Sequence, residues 1–263
     1  MIIVGERLNS TRKNIFNALE KKDKTTIIQE AQNQEHAGAS YLDLNTAAMI
    51  DKENEALSWA IPLIQKSVKI PISIDTPNPS VMEHGLRIHK GQAIMNSMSG
   101  EKKKIDNFLP LAKKYRPKTI ILCLDDSGLP KTTCDELRVA EKMVELMLRH
   151  GIDMEDIFLD PLVRTIGADQ KAACFFLDAL EKIKKAIPHV KTIAGISNIS
   201  YGLPRRSILN RTLLSFSIEK GLDAAIIDPT DRDIGRSIKA SNAILGKDPH
   251  LRGYIAAVKS KSI

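Results

Sequence analysis

Aromatic residues are scarce in this chain of 263 residues, at 4% with a single tryptophan, so ring stacking does not organise its core. Its basic residues are not interleaved with aromatics, which argues against a stacking platform for nucleic acid. Cysteines number three, Cys123, Cys134 and Cys174, with no C-x-x-C pair among them. Neither a disulfide framework nor a thiolate metal site is expected, and the thiols read as reduced in a cytoplasmic protein. The six histidines form no H-E-x-x-H pattern, and His84 and His89 are spaced for different helix faces, so no zinc site is expected. No apolar run reaches the ~18 residues that would suggest a membrane span. The N-terminal "MIIVGERLNS" has a short apolar stretch and no cleavage pattern, and it reads as a first strand rather than a signal peptide.

What is present is ordinary for a soluble globular chain: 43% hydrophobic and 27% charged residues. The net charge of +7 is scattered through segments such as "EKKKID" and "LAKKYRPK". These read as solvated helix faces, or else as attraction toward an acidic ligand tail or an acidic partner.

Eight short apolar runs punctuate the chain: 2–9, 41–45, 71–75, 93–97, 119–125, 157–161, 192–198 and 224–228. Most are near-continuous hydrophobics, as expected of parallel strands covered on both faces. Helical patterns separate them. In 101–116, Ile105, Phe108, Leu109 and Ala112 follow the i, i+3, i+4, i+7 spacing, and Leu137, Ala140, Met143, Val144, Met147 and Leu148 do the same in 134–149. Further helices are predicted over 25–37, 51–68 with a kink or break at Pro62, 79–89, 168–186, 207–220 and 231–245. Gly38, Gly151 and Gly221 stand where helices should stop. Eight alternating units predict an α/β fold of the (β/α)8 TIM-barrel class, in a single domain over 1–263. The rival, a doubly wound sheet, is disfavoured because the first turn, "GERLNSTRKN", holds no G-x-G-x-x-G.

The strand ends are polar: Glu6 and Asn9, Asp43 and Asn45, Asp75, Asn96, Asp125, Asp160, Ser197 and Asn198, and Asp228. Taken singly, each Asp or Asn has an ordinary reading as a helix cap or turn former. Taken together in a barrel they converge on one mouth. Several carboxylates suit a guanidine-like array of N–H donors, and an Asn suits a mixed amide edge; a pterin ring presents both. No Cys or Lys sits at these ends, so covalent catalysis has little support.

The pieces "GERLN" (5–9), "LDLN" (42–45), "SIDT" (73–76), "MNS" (95–97), "LDPL" (159–162), "GISNIS" (195–200) and "LNRT" (209–212) run in order along essentially the whole chain. In them the chain resembles the pterin-binding methyltransferases: the methyltetrahydrofolate:corrinoid/iron–sulfur protein methyltransferases and the folate domain of cobalamin-dependent methionine synthase. The resemblance implies a dihydropteroate-synthase-like pterin-binding barrel. It implies methyl transfer between N5 of tetrahydrofolate and the cobalt of a corrinoid (cobalamin) carried by a partner protein. It also implies a homodimer, with no metal bound by the chain itself. By resemblance Asp75, Asn96 and Asp160 hold the pyrimidine edge of the pterin, Glu6 and Asn9 support the site, and Gly195 admits the ring. Ser197 and Asn198 lie near N5, Arg206 near the p-aminobenzoate or glutamate part, and Ile227 against the ring, with Asp43 and Asn45 as structural supports. Asn198 is expected to polarise N5, with Asp160 or water as proton relay. The direction of transfer stays open.

Dihydropteroate synthase is the nearest rival. Its seventh-strand motif resembles Ser-Arg-Lys, whereas this chain has Ser197-Asn198-Ile199, and its Asn-x-Thr-x-Asp-Ser-Phe-like first loop is missing. A non-catalytic folate-binding subunit would not need Asn198. A phosphate-handling aldolase or isomerase is disfavoured by the missing lysine and phosphate loop. "DPHLRG" (248–253) fits the cobalt-ligating pattern D-x-H-x-x-G, but too little chain follows for the α/β domain that motif opens, so it is expected to be a surface turn.

Overall fold

In the computed structural model, which describes residues 1–259, the eight apolar runs become eight parallel strands that close on themselves in chain order. They are β1 (Ile2–Asn9), β2 (Tyr41–Asn45), β3 (Ile72–Asp75), β4 (Ile94–Gly100), β5 (Lys118–Asp125), β6 (Ile157–Asp160), β7 (Lys191–Gly195) and β8 (Ala224–Ile227). Closure is a parallel ladder from Ile2 opposite Ala224 to Gly5 opposite Ile227. The helical layer comprises α1 (Lys13–Glu20), α2 (Lys24–His36), α3 (Glu53–Ser67), α4 (Pro79–Ile88), α5 (Lys102–Tyr115), α6 (Thr133–Arg149), α7 (Ala172–Ala186), α8 (Arg206–Glu219), α9 (Arg232–Ile244) and α10 (Arg252–Lys259). No helix among the described residues is long and apolar enough to cross a membrane.

The period-two alternation of a strand sorts its side chains between lumen and helical layer. Val4, Ile94, Ile120, Phe158, Ile193 and Ala224 form one buried cluster that plugs the barrel. Residues two positions further along the same strands face the same way, one level nearer the C-terminal mouth. The alternate residues pack outward against the helices in two larger clusters. A core of this kind stabilises the barrel through area removed from water, at about 25 cal/mol per Å2 of apolar surface.

Several expectations change in the structure. Helix α1 was not anticipated. It is one short amphipathic stretch that buries Ile15, Ala18 and Leu19, and Arg12 at its N-terminus provides no side-chain cap, so no start signal marks it. Helix α3 is not split at Pro62 but runs through it. Burial of Leu57, Ala60, Ile61 and Ile64 on its inner face outweighs the backbone hydrogen bond that proline forfeits. Strand β4 continues to Gly100, and β7 stops at Gly195 instead of reaching 198, where a 3-10 turn (Ile196–Ser200) takes over. The 248–253 segment is a turn leading into α10. Asp248 accepts from the backbone N–H groups of Gly253 at 2.9 Å and Tyr254 at 2.8 Å, capping the last helix.

Candidate active site

Three neighbouring strands put Asn45, Asp75 and Asn96 in one row, because Asn45 stands opposite Asp75 and Asp75 opposite Asn96. Asp43 lies one level below Asn45 on β2 and is fully enclosed. It accepts from Ser73 Oγ at 2.7 Å and from Asn96 Nδ2 at 3.1 Å. Asn45 Nδ2 donates to Asp75 Oδ2 at 2.6 Å, and its own Oδ1 accepts from the Ala47 N–H at 3.1 Å. The lower layer therefore orients the upper one. Asn96 spends its N–H on Asp43 and presents its carbonyl oxygen, while Asp75 and Asp160 keep acceptor capacity. Asp160, at the end of β6, uses Oδ1 to accept from the Leu162 N–H at 2.8 Å. A cleft of about 160 Å3 opens beside Asp75, Asn96, Ser97, Met98 and Leu122.

Burial dominates the electrostatics. It pushes Asp160 up to about 7, and it raises Glu6 as well. Asp43 and Asp75 are both raised by burial, and the charge of Asp75 adds to the effect on Asp43. Two carboxyls this close do not both ionise readily, so the enclosed Asp43 is pushed toward its protonated form beneath Asp75.

The turn after β7 is braced from below. Ser197 Oγ donates to Glu6 Oε1 at 2.6 Å, joining β7 to β1. Ser200 Oγ donates to Asn210 Oδ1 at 2.7 Å, and Asn210 Nδ2 reaches Ser197 Oγ at 3.4 Å. Arg206 donates through Nε to Ser200 Oγ at 3.0 Å and through Nη2 to the Ser197 carbonyl at 2.7 Å. On this rigid platform Asn198 is exposed, and its amide has no hydrogen-bond partner among the described residues. A Cβ on Gly195 would lie 2.9 Å from Asn198 Nδ2, so this glycine makes room for the amide to fold back over the strand end.

Asp75, Asn96, Asp160, Glu6, Ser197, Gly195 and Asn198 thus belong to strand ends, or the turn following one, at the same mouth. Asn9 stands opposite Asn45 at the end of β1 and so extends the same row, while its Oδ1 also accepts from Thr11 N at 2.9 Å. Two other strand-end carboxylates serve their own loops: Asp125 accepts from Ser127 N at 3.0 Å. Asp228 is held by Arg7 Nη1 at 2.7 Å and by Thr230. Ile227 is a correction: it is buried in the outer layer with Ile234 and Ile238, and Ile226 is the β8 residue that packs with the lumen cluster. The shift of one residue reverses the facing, as period-two alternation demands. Arg206 supports the turn.

Sequence reasoning passed over Asn210, although "LNRT" contains it, because its role depends on α8 packing over the turn. It also passed over Arg7, which bridges Glu30 Oε1 at 2.5 Å and Asp228. Glu136 is nearly inaccessible, one of its oxygens lacks a partner, and burial together with Asp160 pushes it up to about 9. No signal in the sequence marks it beyond its place in the first turn of α6. Among the described residues no group of three or more His, Cys, Asp or Glu side chains could hold a metal ion.

A family model described as pterin binding enzyme matches residues 5–228. The chain is 33% identical over 265 residues to the methylcorrinoid:tetrahydrofolate methyltransferase of Eubacterium limosum, covering 100% of this chain and 98% of that protein. It is 28% identical over 247 residues to the methionine synthase of Mycobacterium leprae, covering 86% of this chain but only 20% of that much longer protein. The dihydropteroate synthase of Clostridium difficile superposes with a TM-score of 0.72 over 93% of this chain and 96% of that one, at 20% identity. At that identity the likeness speaks for the barrel alone.

Proposed function

The chain belongs to the pterin-binding enzymes, and on that premise we propose that it transfers a methyl group between N5 of tetrahydrofolate and the cobalt of a corrinoid carried on a partner protein. The observation that carries this reading is the unpartnered amide of Asn198, poised on a braced turn beside an acceptor-lined barrel mouth. The Eubacterium limosum relative, similar along its whole length, is named for transfer from methylcorrinoid to tetrahydrofolate, which favours that direction here.

The pyrimidine edge of a pterin offers a run of N–H donors. Asp75, Asp160 and the Asn96 carbonyl offer acceptors at one level of the barrel, and the layer of Asp43, Asn45 and Ser73 pre-orients them. Nitrogen N5 must give up a proton as it gains a methyl, and must regain one to release it. A neutral amide serves both directions, because its oxygen accepts from N5–H and its Nδ2 donates to the N5 lone pair. Asn198 therefore polarises N5 without bringing a charge into the mouth. Asp160, which titrates near neutrality, is the group suited to exchange that proton through water. The corrinoid supplies only the cobalt–carbon bond that is made or broken. The one segment here with a cobalt-ligating pattern is occupied in capping α10, which supports delivery by a separate protein.

The experiment is a titration with tetrahydrofolate and 5-methyltetrahydrofolate, followed by incubation of enzyme and tetrahydrofolate with methylcobalamin. Saturable folate binding with enzyme-dependent formation of 5-methyltetrahydrofolate is the expected result. Dihydropteroate formation from a pterin diphosphate and p-aminobenzoate, with no methyl transfer, would support the synthase reading instead. Folate binding with neither activity would leave a binding subunit.

A further inference from the structure

The proposed reading leaves the acidic end of the substrate without a partner, and the structure points to one. The resemblance assigns that end to Arg206, but Arg206 already donates to Ser200 Oγ and to the Ser197 carbonyl, so its guanidinium is held as part of the turn. Two guanidiniums lie close enough to the Glu6 carboxyl to oppose the upward push of burial, those of Arg206 and Arg12. Arg12 follows β1 directly and opens α1. Its side chain makes no hydrogen bond and no ion pair among the described residues, and its Nε is buried without any partner. The first turn of α1 carries no acidic residue to neutralise it.

Arg12 is not alone. Of the three buried side-chain polar atoms that lack a partner among the described residues, a second is Thr46 Oγ1, just past the end of β2. The loops bearing Arg12 and Thr46 are stitched together: the Ser10 N–H donates to the Asn45 carbonyl at 2.9 Å, and Ser10 Oγ accepts from the Ala48 N–H at 3.0 Å. The linked loops after β1 and β2 therefore each hold an unsatisfied buried polar group, but Thr46 is fully enclosed, and Arg12 beside Glu6 is the one near the mouth. A buried donor left unmade is costly, and a carboxylate arriving at the mouth would relieve that cost.

We infer that Arg12 is the subsite for the glutamate carboxylate of the folate, on the β1–β2 side of the mouth. This deepens the proposed function and rests on it. The pterin ring sits over Asp75, Asn96 and Asp160, the tail leaves along β1 and β2, and Arg206 stays with the turn that carries Asn198.

The test compares two probes on three proteins. The probes are 5-methyltetrahydrofolate, which has the tail, and 6-methyltetrahydropterin, which does not. The proteins are the native chain, Arg12→Gln and Arg12→Lys, each checked for an unchanged melting temperature. Arg12→Gln is expected to bind the folate about ten-fold more weakly and the tailless pterin as tightly as the native chain. Arg12→Lys, which keeps the charge but loses the Nε–H fork and gives the fold a milder change, is expected to fall between. Folate affinity of the native chain should drop with added salt, and Arg12→Gln should flatten that dependence. Equal folate affinity in Arg12→Gln and the native chain would overturn the subsite, and so would an equal loss for both probes, which would mean that Arg12 acts through Glu6. If the native chain binds neither probe, the pterin reading itself falls.

Discussion

The proposed function gives Asn198 and Asp75 different work at the mouth, and substitution should separate their roles. The amide of Asn198 has no internal partner, so its loss leaves the fold and the pterin edge intact. Asn198→Ala is expected to lower the methyl-transfer rate about 100-fold with folate affinity nearly unchanged, measured by single-turnover kinetics and titration. Asp75 stands in the row to which the proposed function gives the pterin edge, and Asp75→Ala is expected to weaken folate binding at least about ten-fold in the same titration. Asp160 adds a pH signature. The folded protein holds this proton up to about 7, whereas an unfolded chain gives it up near the ordinary 3.8. Between those values the folded state binds more protons, so stability falls as pH rises through the window. Ligand N–H donors favour the ionised form, so folate affinity should rise as pH passes through about 7. Asp160→Asn is expected to abolish that inflection in a series of titrations from pH 5.5 to 8.5.

At the scale of elements, the turn Ile196–Ser200 is the part on which the proposed transfer depends. Strand β7 stops early, Ser197 ties the turn to β1 through Glu6, and Arg206 and Asn210 tie it to α8. Gly195 belongs to the same device. Its φ of −76° would suit any residue, so its value lies in missing a side chain. An added methyl would meet Asn198 Nδ2 at 2.9 Å, and the flexible amide would yield before the backbone did. Gly195→Ala is therefore expected to cost about ten-fold in transfer rate while changing the melting temperature by no more than a few degrees, a pattern read by pairing calorimetry with the assay.

At the scale of the whole molecule, the barrel depends on β8 returning to β1. Arg7 spans that seam, gripping Glu30 on α2 with two nitrogens and Asp228 beyond β8 with a third. Glu30 is only 9% exposed, so removing its cation strands a buried carboxylate. Arg7→Met is expected to destabilise the protein by about 3 kcal/mol in urea unfolding. The order of the strands and the identity of the mouth were legible in the chain, because near-continuous apolar runs ending in Asp or Asn report both a covered parallel strand and its C-terminal end. The places of Asp75, Asn96 and Asp160 at the strand ends were legible for that reason. Facing was legible only where strand ends are sharp. Ile227 was misread by one position, and Asp125 serves its own turn, because a short polar residue after a strand has the same appearance whether it binds a ligand or closes a loop. Local periodicity and residue type are properties of neighbours in the chain, and they settle the barrel and its polar rim. Which arginine is spent on the fold and which is left free, and which carboxyl is pushed toward its protonated form, depend on residues far apart in the chain being brought into contact, and only the closed barrel decides them.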